Sequence, residues 1–322
     1  MSKILVVGGA GYIGSHVTKV FKDAGHTPVV FDNLSSGLRE NLFEDLEFIE
    51  GDVLNTEAVK KALVGVDAVA YLAAFKAAGE SMENPGKYAT NNICGAISLL
   101  NAMSDVGVKK IIFSSSATVY GDPEYLPLDE KHPTGPANFY GHTKIEIEEL
   151  LKWYDKLKGI KYATLRYFNA VGYDPDGVVK GLEQNPANLV PILMEAIMGQ
   201  RDKVGIFGTD YDTPDGTCIR DYVHVNDLAG AHLKSLNYLE DNNSFTINLG
   251  SNSGISVKEM IDKAKEISGV DFKVEEQDRR PGDPARSLAD SSLAKELLGW
   301  EAKFSDIDTI IKTTLDAYKA NS

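Results

Sequence analysis

Tyr140-Gly141-His142-Thr143-Lys144 sets a phenol and an ammonium four residues apart. On a helix, positions i and i+4 share a face, so Lys144 can sit beside the Tyr140 ring. A free phenol titrates at about 10 and is a poor base at neutral pH. A nearby cation favours the phenolate and draws the phenol toward acid/base work. The pair alone would equally suit an exposed helix face. A third partner is expected at the carboxyl end of a strand, where Ser114-Ser115-Ser116-Ala117-Thr118 follows Lys110-Ile111-Ile112-Phe113. A hydroxyl there could bond both Tyr140 and a substrate oxygen.

Such a group needs a redox or proton partner, and the N-terminus supplies the signal for one. Ile4-Leu5-Val6-Val7 runs into Gly8-Gly9-Ala10-Gly11-Tyr12-Ile13-Gly14, after which a helical pattern continues to about Ala24, with Gly25 as its expected C-cap. Gly8, Gly11 and Gly14 allow a tight strand-to-helix turn and close approach of a pyrophosphate to the helix N-terminus. Asp32, 18 residues after Gly14, ends the second strand. Its carboxylate can accept from ribose hydroxyls and repels a 2′-phosphate, so NAD is expected rather than NADP. Asp52, ending a third strand, is placed for adenine.

The elements that must hold these groups alternate. Val29-Val30-Phe31, Phe48-Ile49-Glu50, Ala68–Tyr71, Lys110–Phe113 and Ala163–Arg166 read as further strands, with helices at about 87–106 and 140–158. Alternation predicts an α/β fold with a doubly wound parallel sheet. Beyond Asn169 loops lengthen, and helices are expected near 189–199, 225–238, 256–268 and 307–320. These form a smaller cap over the carboxyl edge of the sheet.

The 322 residues carry a net charge of −14, which disfavours nucleic acid. An anionic ligand would need a local cluster of donors. Two distant cysteines, Cys94 and Cys218, suggest neither a disulfide nor a metal site. No apolar run reaches the ~20 residues of a membrane span, and a cytoplasmic location is expected.

The glycine segment, Ser114–Gly121, Tyr140–Lys144 and Leu165–Asn169 (LRYFN) together resemble the extended short-chain dehydrogenase/reductase family. Asn188–Pro191, Phe207–Asp210, Asp215–Thr217 and Arg220–Val225 resemble its UDP-glucose 4-epimerase branch. The resemblance spans essentially the whole chain. It implies a Rossmann-type NAD-binding domain over 1–169 and a nucleotide-sugar-binding domain over 170–322, with some chain crossing back to the sheet. It implies catalysis by Tyr140, Lys144 and Ser116. Cofactor contacts would come from Gly8, Gly11, Tyr12, Ile13, Gly14, Asp32, Asn33, Asp52, Val53, Lys76, Asn91, Tyr140, Lys144 and Tyr167. Lys76 would touch the pyrophosphate. Ser116, Thr118, Tyr140, Asn169, Asn188, Leu189, Phe207, Arg220, Tyr222, Arg280, Asp283 and Ser287 would hold the UDP-sugar. The two arginines suit phosphate, which a planar guanidinium binds bidentately.

The implied reaction is reversible C4 epimerisation of UDP-glucose and UDP-galactose through a 4-keto sugar, with NAD held tightly. A 4,6-dehydratase is the same-fold rival. The family's dehydratases carry an Asp-Glu pair after the active-site threonine, whereas Thr118 is followed by Val119. An epimerase for another nucleotide sugar, such as UDP-glucuronate, is a second alternative. A non-catalytic NAD-sensing protein is a third, which would have no need of Tyr140, Lys144 and Ser116. Ser287 stands where the family sets hexose range, and its small size predicts acceptance of UDP-GlcNAc and UDP-GalNAc. A homodimer is expected through the helices near 87–106 and 140–158.

Overall fold

A computed structural model of the chain describes residues 1–183, 186–280 and 282–321. The elements run β1 (Lys3–Val7), α1 (Tyr12–Asp23), β2 (Thr27–Asp32), β3 (Glu47–Glu50), α2 (Thr56–Ala62), β4 (Ala68–Tyr71), α3 (Ala78–Glu83), α4 (Pro85–Tyr88), α5 (Gly95–Val106), β5 (Lys110–Ser116), α6 (Phe139–Lys158), β6 (Lys161–Tyr167) and β7 (Asn169–Val171). Then come α7 (Leu189–Ile197), β8 (Lys203–Phe207), β9 (Ile219–His224), α8 (Val225–Asp241), β10 (Phe245–Leu249), β11 (Gly254–Ser256), α9 (Val257–Ser268), β12 (Lys273–Gln277), β13 (Arg286–Ser287), α10 (Ser292–Leu298) and α11 (Ile307–Ala320).

Seven parallel strands form the main sheet in the order β10-β6-β5-β4-β1-β2-β3. Its central strands are apolar on both faces because helices cover both. On one side Leu5, Val29, Val69 and Ile111 pack under α2, α5 and α6; on the other Ile4, Ala68, Ile112 and Leu165 pack under α1, α8 and α10. The chain departs from β1 first toward β2 and β3, and returns on the opposite side through β4. Ligands of open α/β sheets bind at such a reversal, beyond the carboxyl ends of the strands.

One sequence expectation is made specific and one is corrected. The chain beyond residue 169 crosses back to give the sheet a seventh strand, β10, from a stretch where short strands are hard to separate from loops. The helix expected over 87–106 is broken: a π-helical turn, Ala89–Cys94, lies between α4 and α5. The wider turn puts Asn92 where it can bond outside its own helix. Its amide donates to Phe75 O at 3.0 Å and Thr143 Oγ1 at 3.1 Å and accepts from Phe75 N at 2.9 Å.

A smaller assembly caps the sheet's carboxyl edge. β9 is its spine, pairing with β7 and β13 in parallel and β11 antiparallel. β8 and β12 form a separate parallel pair. An apolar cluster including Tyr173, Leu193, Met260 and Ile310 supports these strands.

Three buried histidines tie elements together as neutral rings of fixed tautomer. His16 Nε2 accepts from Asp174 N at 3.1 Å, so Nδ1 donates to Tyr12 O at 2.8 Å. His224 Nδ1 accepts from Asn226 N at 3.1 Å, so Nε2 donates to Thr313 Oγ1 at 3.0 Å. His232 donates to Leu228 O at 2.9 Å and accepts from the Tyr167 hydroxyl at 2.7 Å. Burial lowers their pKa values to about 4, 3 and 4 respectively. Protonation would also destroy each acceptor. The unfolded chain takes up these protons near pH 6.5 and the folded chain only near 3 to 4. Stability should therefore be full above pH 6.5 and fall as pH drops toward 4. The urea midpoint should fall between pH 7.5 and 5, and fall less in His232→Gln, since each tenfold loss of proton affinity on folding corresponds to about 1.4 kcal/mol. Equal acid sensitivity in the variant would exclude this origin.

Candidate active site

The nucleotide cradle follows from steric necessity at β1. Gly8 has φ +85°, and a Cβ on it would lie 2.6 Å from Ala73 N, just beyond β4. A Cβ on Gly14 would meet Gly8 O at 2.1 Å. The loop thus folds onto the first turn of α1, with Gly11 as N-cap and Tyr12 and Ile13 opening the helix. Free N–H groups at that helix start suit a pyrophosphate. Asp32 ends β2 at 8% exposed and accepts from Ala10 N at 3.0 Å and Leu34 N at 2.8 Å. Two carboxylate oxygens offer about four acceptor sites, which leaves capacity for ribose hydroxyls. Asp52 accepts from Asn33 at 3.1 Å, so the two residues expected around adenosine are already joined. Val53 is buried under the sheet beside Tyr71. These residues fit the adenosine diphosphate half of NAD.

Lys76 and Asn91 have partners of their own within the chain. The Lys76 ammonium pairs with Glu183 at 2.5 Å, so an anion at this position competes with that carboxylate. Asn91 donates to Asn92 Oδ1 at 3.0 Å, and Asn92, which no motif singles out, is the completely buried one of the pair.

The acid/base residues meet where β5 ends. Asn138 caps α6, its side chain accepting from Gly141 N at 2.9 Å, so Tyr140 and Lys144 fall on the first two turns. The Lys144 ammonium donates to Ser114 O at 2.7 Å and lies 5.6 Å from the Tyr140 ring centroid. The Ser116 hydroxyl faces the Tyr140 phenol and favours its phenolate, and Thr118 Oγ1 donates to Ser116 Oγ at 3.0 Å. Tyr167 stands opposite Ser116 in the β5–β6 register, its hydroxyl fixed by His232.

The lowering of the phenol is expected from Lys144 together with a positive nicotinamide ring, and the protein groups by themselves do not produce it. Burial pushes Tyr140 up to about 12, and the Ser116 bond only partly opposes it. Burial likewise pulls Lys144 down to about 7 against the pull of Glu148. In protein groups alone desolvation outweighs the phenol–ammonium attraction. Phenolate formation therefore needs further positive charge, which a nicotinamide ring would bring.

A cavity of about 550 Å³ lies beside β7, and Ser116, Thr118, Tyr140 and Ser287 are not among its lining residues. Of the expected sugar-nucleotide residues, Asn169, Asn188, Leu189, Phe207, Arg220, Tyr222, Arg280 and Asp283 line it together. Asn169 opens β7 two residues after Tyr167 and pairs with Tyr222, which links cavity and catalytic centre. Asn188 and Leu189 begin α7, and Phe207 ends β8. Ser287 pairs with Arg220 across β13 and β9. The Arg220 NH2 is 3.3 Å from Asp283 Oδ1 but is misaligned for a hydrogen bond, leaving a buried donor without an acceptor. An orphan cationic donor is costly, and an incoming phosphate would satisfy it. The Arg280 guanidinium lies 3.7 Å over the Phe207 ring, so it stacks rather than standing free. Cys218, Gln277 and Val257 also line the cavity; no spacing or residue-type signal marked them.

Comparison with known proteins agrees with this geometry. Residues 4–250 match the model of the NAD dependent epimerase/dehydratase family. The UDP-glucose 4-epimerase of Streptococcus mutans is 44% identical over 314 residues, 96% of this chain and 94% of that protein. The crystal structure of UDP-glucose 4-epimerase from Brucella ovis in complex with NAD superposes with a TM-score of 0.96 at 41% identity, covering 99% and 98% of the two chains. The UDP-Glc/GlcNAc 4-epimerase of Campylobacter jejuni gives a TM-score of 0.87 at 40% identity, with 99% and 100% coverage. The chain belongs to the NAD-dependent epimerase/dehydratase family.

Proposed function

We propose that this chain catalyses reversible C4 epimerisation of UDP-glucose and UDP-galactose with tightly bound NAD. One observation carries the reading: Ser116, Tyr140 and Lys144 gather at the carboxyl end of β5, in a chain that also carries a dinucleotide cradle at β1 and a cavity lined by the buried, unsatisfied Arg220 donor. Bound NAD supplies hydride acceptance and donation at sugar C4. Tyr140 takes the proton of the 4-hydroxyl and later returns one. Ser116 steadies both the phenol and the sugar oxygen. Lys144 favours the phenolate. Arg220 and Arg280 hold the diphosphate, so the keto sugar can turn and present its opposite face without leaving. The stretch Ser116-Ala117-Thr118-Val119 has no carboxylate for dehydration.

Among the described residues no helix is long and apolar enough to cross a membrane; we assign the chain to the cytoplasm. We also propose a homodimer through α5 and α6. In support, Trp153 is 54% and Leu157 66% exposed on α6, with Val106 exposed at the end of α5. Charging this face by Trp153→Glu with Leu157→Glu should convert a dimer to a monomer in sedimentation. A wild-type chain that already sediments as a monomer would disprove the interface.

Tyr140→Phe should keep its fold and bound NAD but interconvert UDP-galactose and UDP-glucose about 10²–10⁴-fold more slowly. Near-normal turnover would mean another residue is the acid/base. Ser287 lies in register with Arg220 in the substrate strand set, and its small side chain supports acceptance of N-acetyl sugars. UDP-GlcNAc should turn over alongside UDP-galactose, and Ser287→Tyr should remove the first activity while sparing the second. No UDP-GlcNAc turnover in the wild type would sink that assignment.

A further inference from the structure

Three successive residues of β5 each engage α6. The Ser114 carbonyl accepts from Lys144 at 2.7 Å, Ser115 Oγ donates to Glu148 Oε1 at 2.6 Å, and the Ser116 hydroxyl faces the Tyr140 phenol and favours its phenolate. The outer two contacts hold the acid/base residues. The middle one holds a carboxylate that the reaction as described does not use.

Glu148 is 3% exposed. Arg166 of β6 grips it twice, Nε to Oε1 at 3.0 Å and NH2 to Oε2 at 2.6 Å. The remaining edge of the guanidinium turns to the Tyr120 hydroxyl at 2.9 Å. The carboxylate therefore stays on the helix of Lys144, one turn further on, while the guanidinium comes from the neighbouring strand. A buried ion pair is weak evidence of stabilisation, because apolar residues of similar volume often serve as well. Its placement has another consequence. Lys144 is 2% exposed, and among the described residues its ammonium has one hydrogen-bond acceptor, Ser114 O, besides the Phe113 ring at 4.9 Å. The titratable and charged groups around the cluster are Tyr140 and Glu148 on α6, Arg166, Tyr162 and Tyr167 on β6, Tyr88 on α4 with the Glu80 carboxylate bonded to it, and Tyr120 and Glu130 beyond the guanidinium. Of the three carboxylates, Glu148 is the one whose field opposes the burial of Lys144.

We propose that Glu148 is a positioning residue for proton transfer: its carboxylate, clamped by Arg166 and Ser115, keeps Lys144 in the ammonium form that Tyr140 needs. The inference rests on the epimerase reading above. Rate should fall as pH rises through the titration of Lys144, and loss of the carboxylate should bring that fall to lower pH.

The test is kcat against pH, with bound NAD measured in each variant of the holoenzyme. Glu148→Gln should retain NAD and move the alkaline limb down by about one pH unit or more. Glu148→Asp, which keeps the charge, should leave the limb near its wild-type position even if kcat drops. Should Glu148→Gln fail to fold, Glu148→Met with Arg166→Met is compared with Arg166→Met alone; the two differ only in the carboxylate, so the limb of the double variant should lie below that of its reference. An unmoved limb in a folded, NAD-loaded variant lacking the carboxylate overturns the proposal, as does an equal displacement in Glu148→Asp. Absence of UDP-galactose turnover by the wild type at every pH would instead overturn the epimerase reading.

Discussion

An ammonium buried among apolar side chains is the constraint around which this site is built. Removing such a charge from water costs several kcal/mol even after relaxation, and only directed acceptors offset it. Lys144 obtains a carbonyl from β5 and the field of a carboxylate from its own helix. Both require α6 to lie along β5 in one register. That register is set at the ends: Asn138 starts the helix, and Gly159, with φ +63°, lets it stop. Between them Ile147 and Leu151 bury the same face that carries Tyr140 and Lys144. Packing and chemistry share one helical stripe, so neither can shift without the other.

The opposite wall solves a different electrostatic problem. The chain carries a net charge of −14, yet its proposed substrate is a dianion. A global field of that sign would slow such a ligand. β9 concentrates the remedy by carrying Arg220 toward the cavity, with Arg280 stacked on Phe207 nearby. Asp221, the next residue on β9, is buried and accepts from the backbone of Ser251 at 2.6 Å, Asn252 at 3.1 Å and Ala289 at 3.2 Å. One strand therefore supplies both a cavity-lining guanidinium and the tie that gathers the loops beside it.

What the sequence revealed depended on how local the cause was. The strand Ala68–Tyr71 and the helix Ile307–Ala320 emerged with their bounds intact, because apolar runs and periodicity report burial directly. The glycine turn was legible because excluded volume at Gly8 and Gly14 leaves only one residue type. Tyr140 and Lys144 were legible through spacing on a helix. Long-range causes were not. β10 joins the sheet only because α8 returns the chain to the edge of β6. Asn92 owes its burial to a π turn that no composition announces, and the Lys76–Glu183 pair joins residues more than a hundred positions apart. The charge states were hidden too, since desolvation at Tyr140 and Lys144 is set by everything packed around them.

Those charge states explain why a carboxylate beside the pair matters. In protein groups alone Tyr140 titrates near 12 and Lys144 near 7, so near neutrality the proton sits firmly on the phenol and loosely on the amine. Proton abstraction from a sugar hydroxyl needs a phenolate beside an ammonium. A positive charge brought next to Tyr140 favours the phenolate, but by the same Coulomb law it drives the proton off Lys144. One cation therefore cannot prepare both groups. An anion on the far side of Lys144 can resolve the conflict, since it favours the ammonium and acts less on the phenol, which lies a further turn away. Glu148 occupies that position, at i+4 from Lys144 and i+8 from Tyr140. Arg166 and Ser115 fix it there, so its charge stays behind the lysine and cannot swing forward to repel the phenolate.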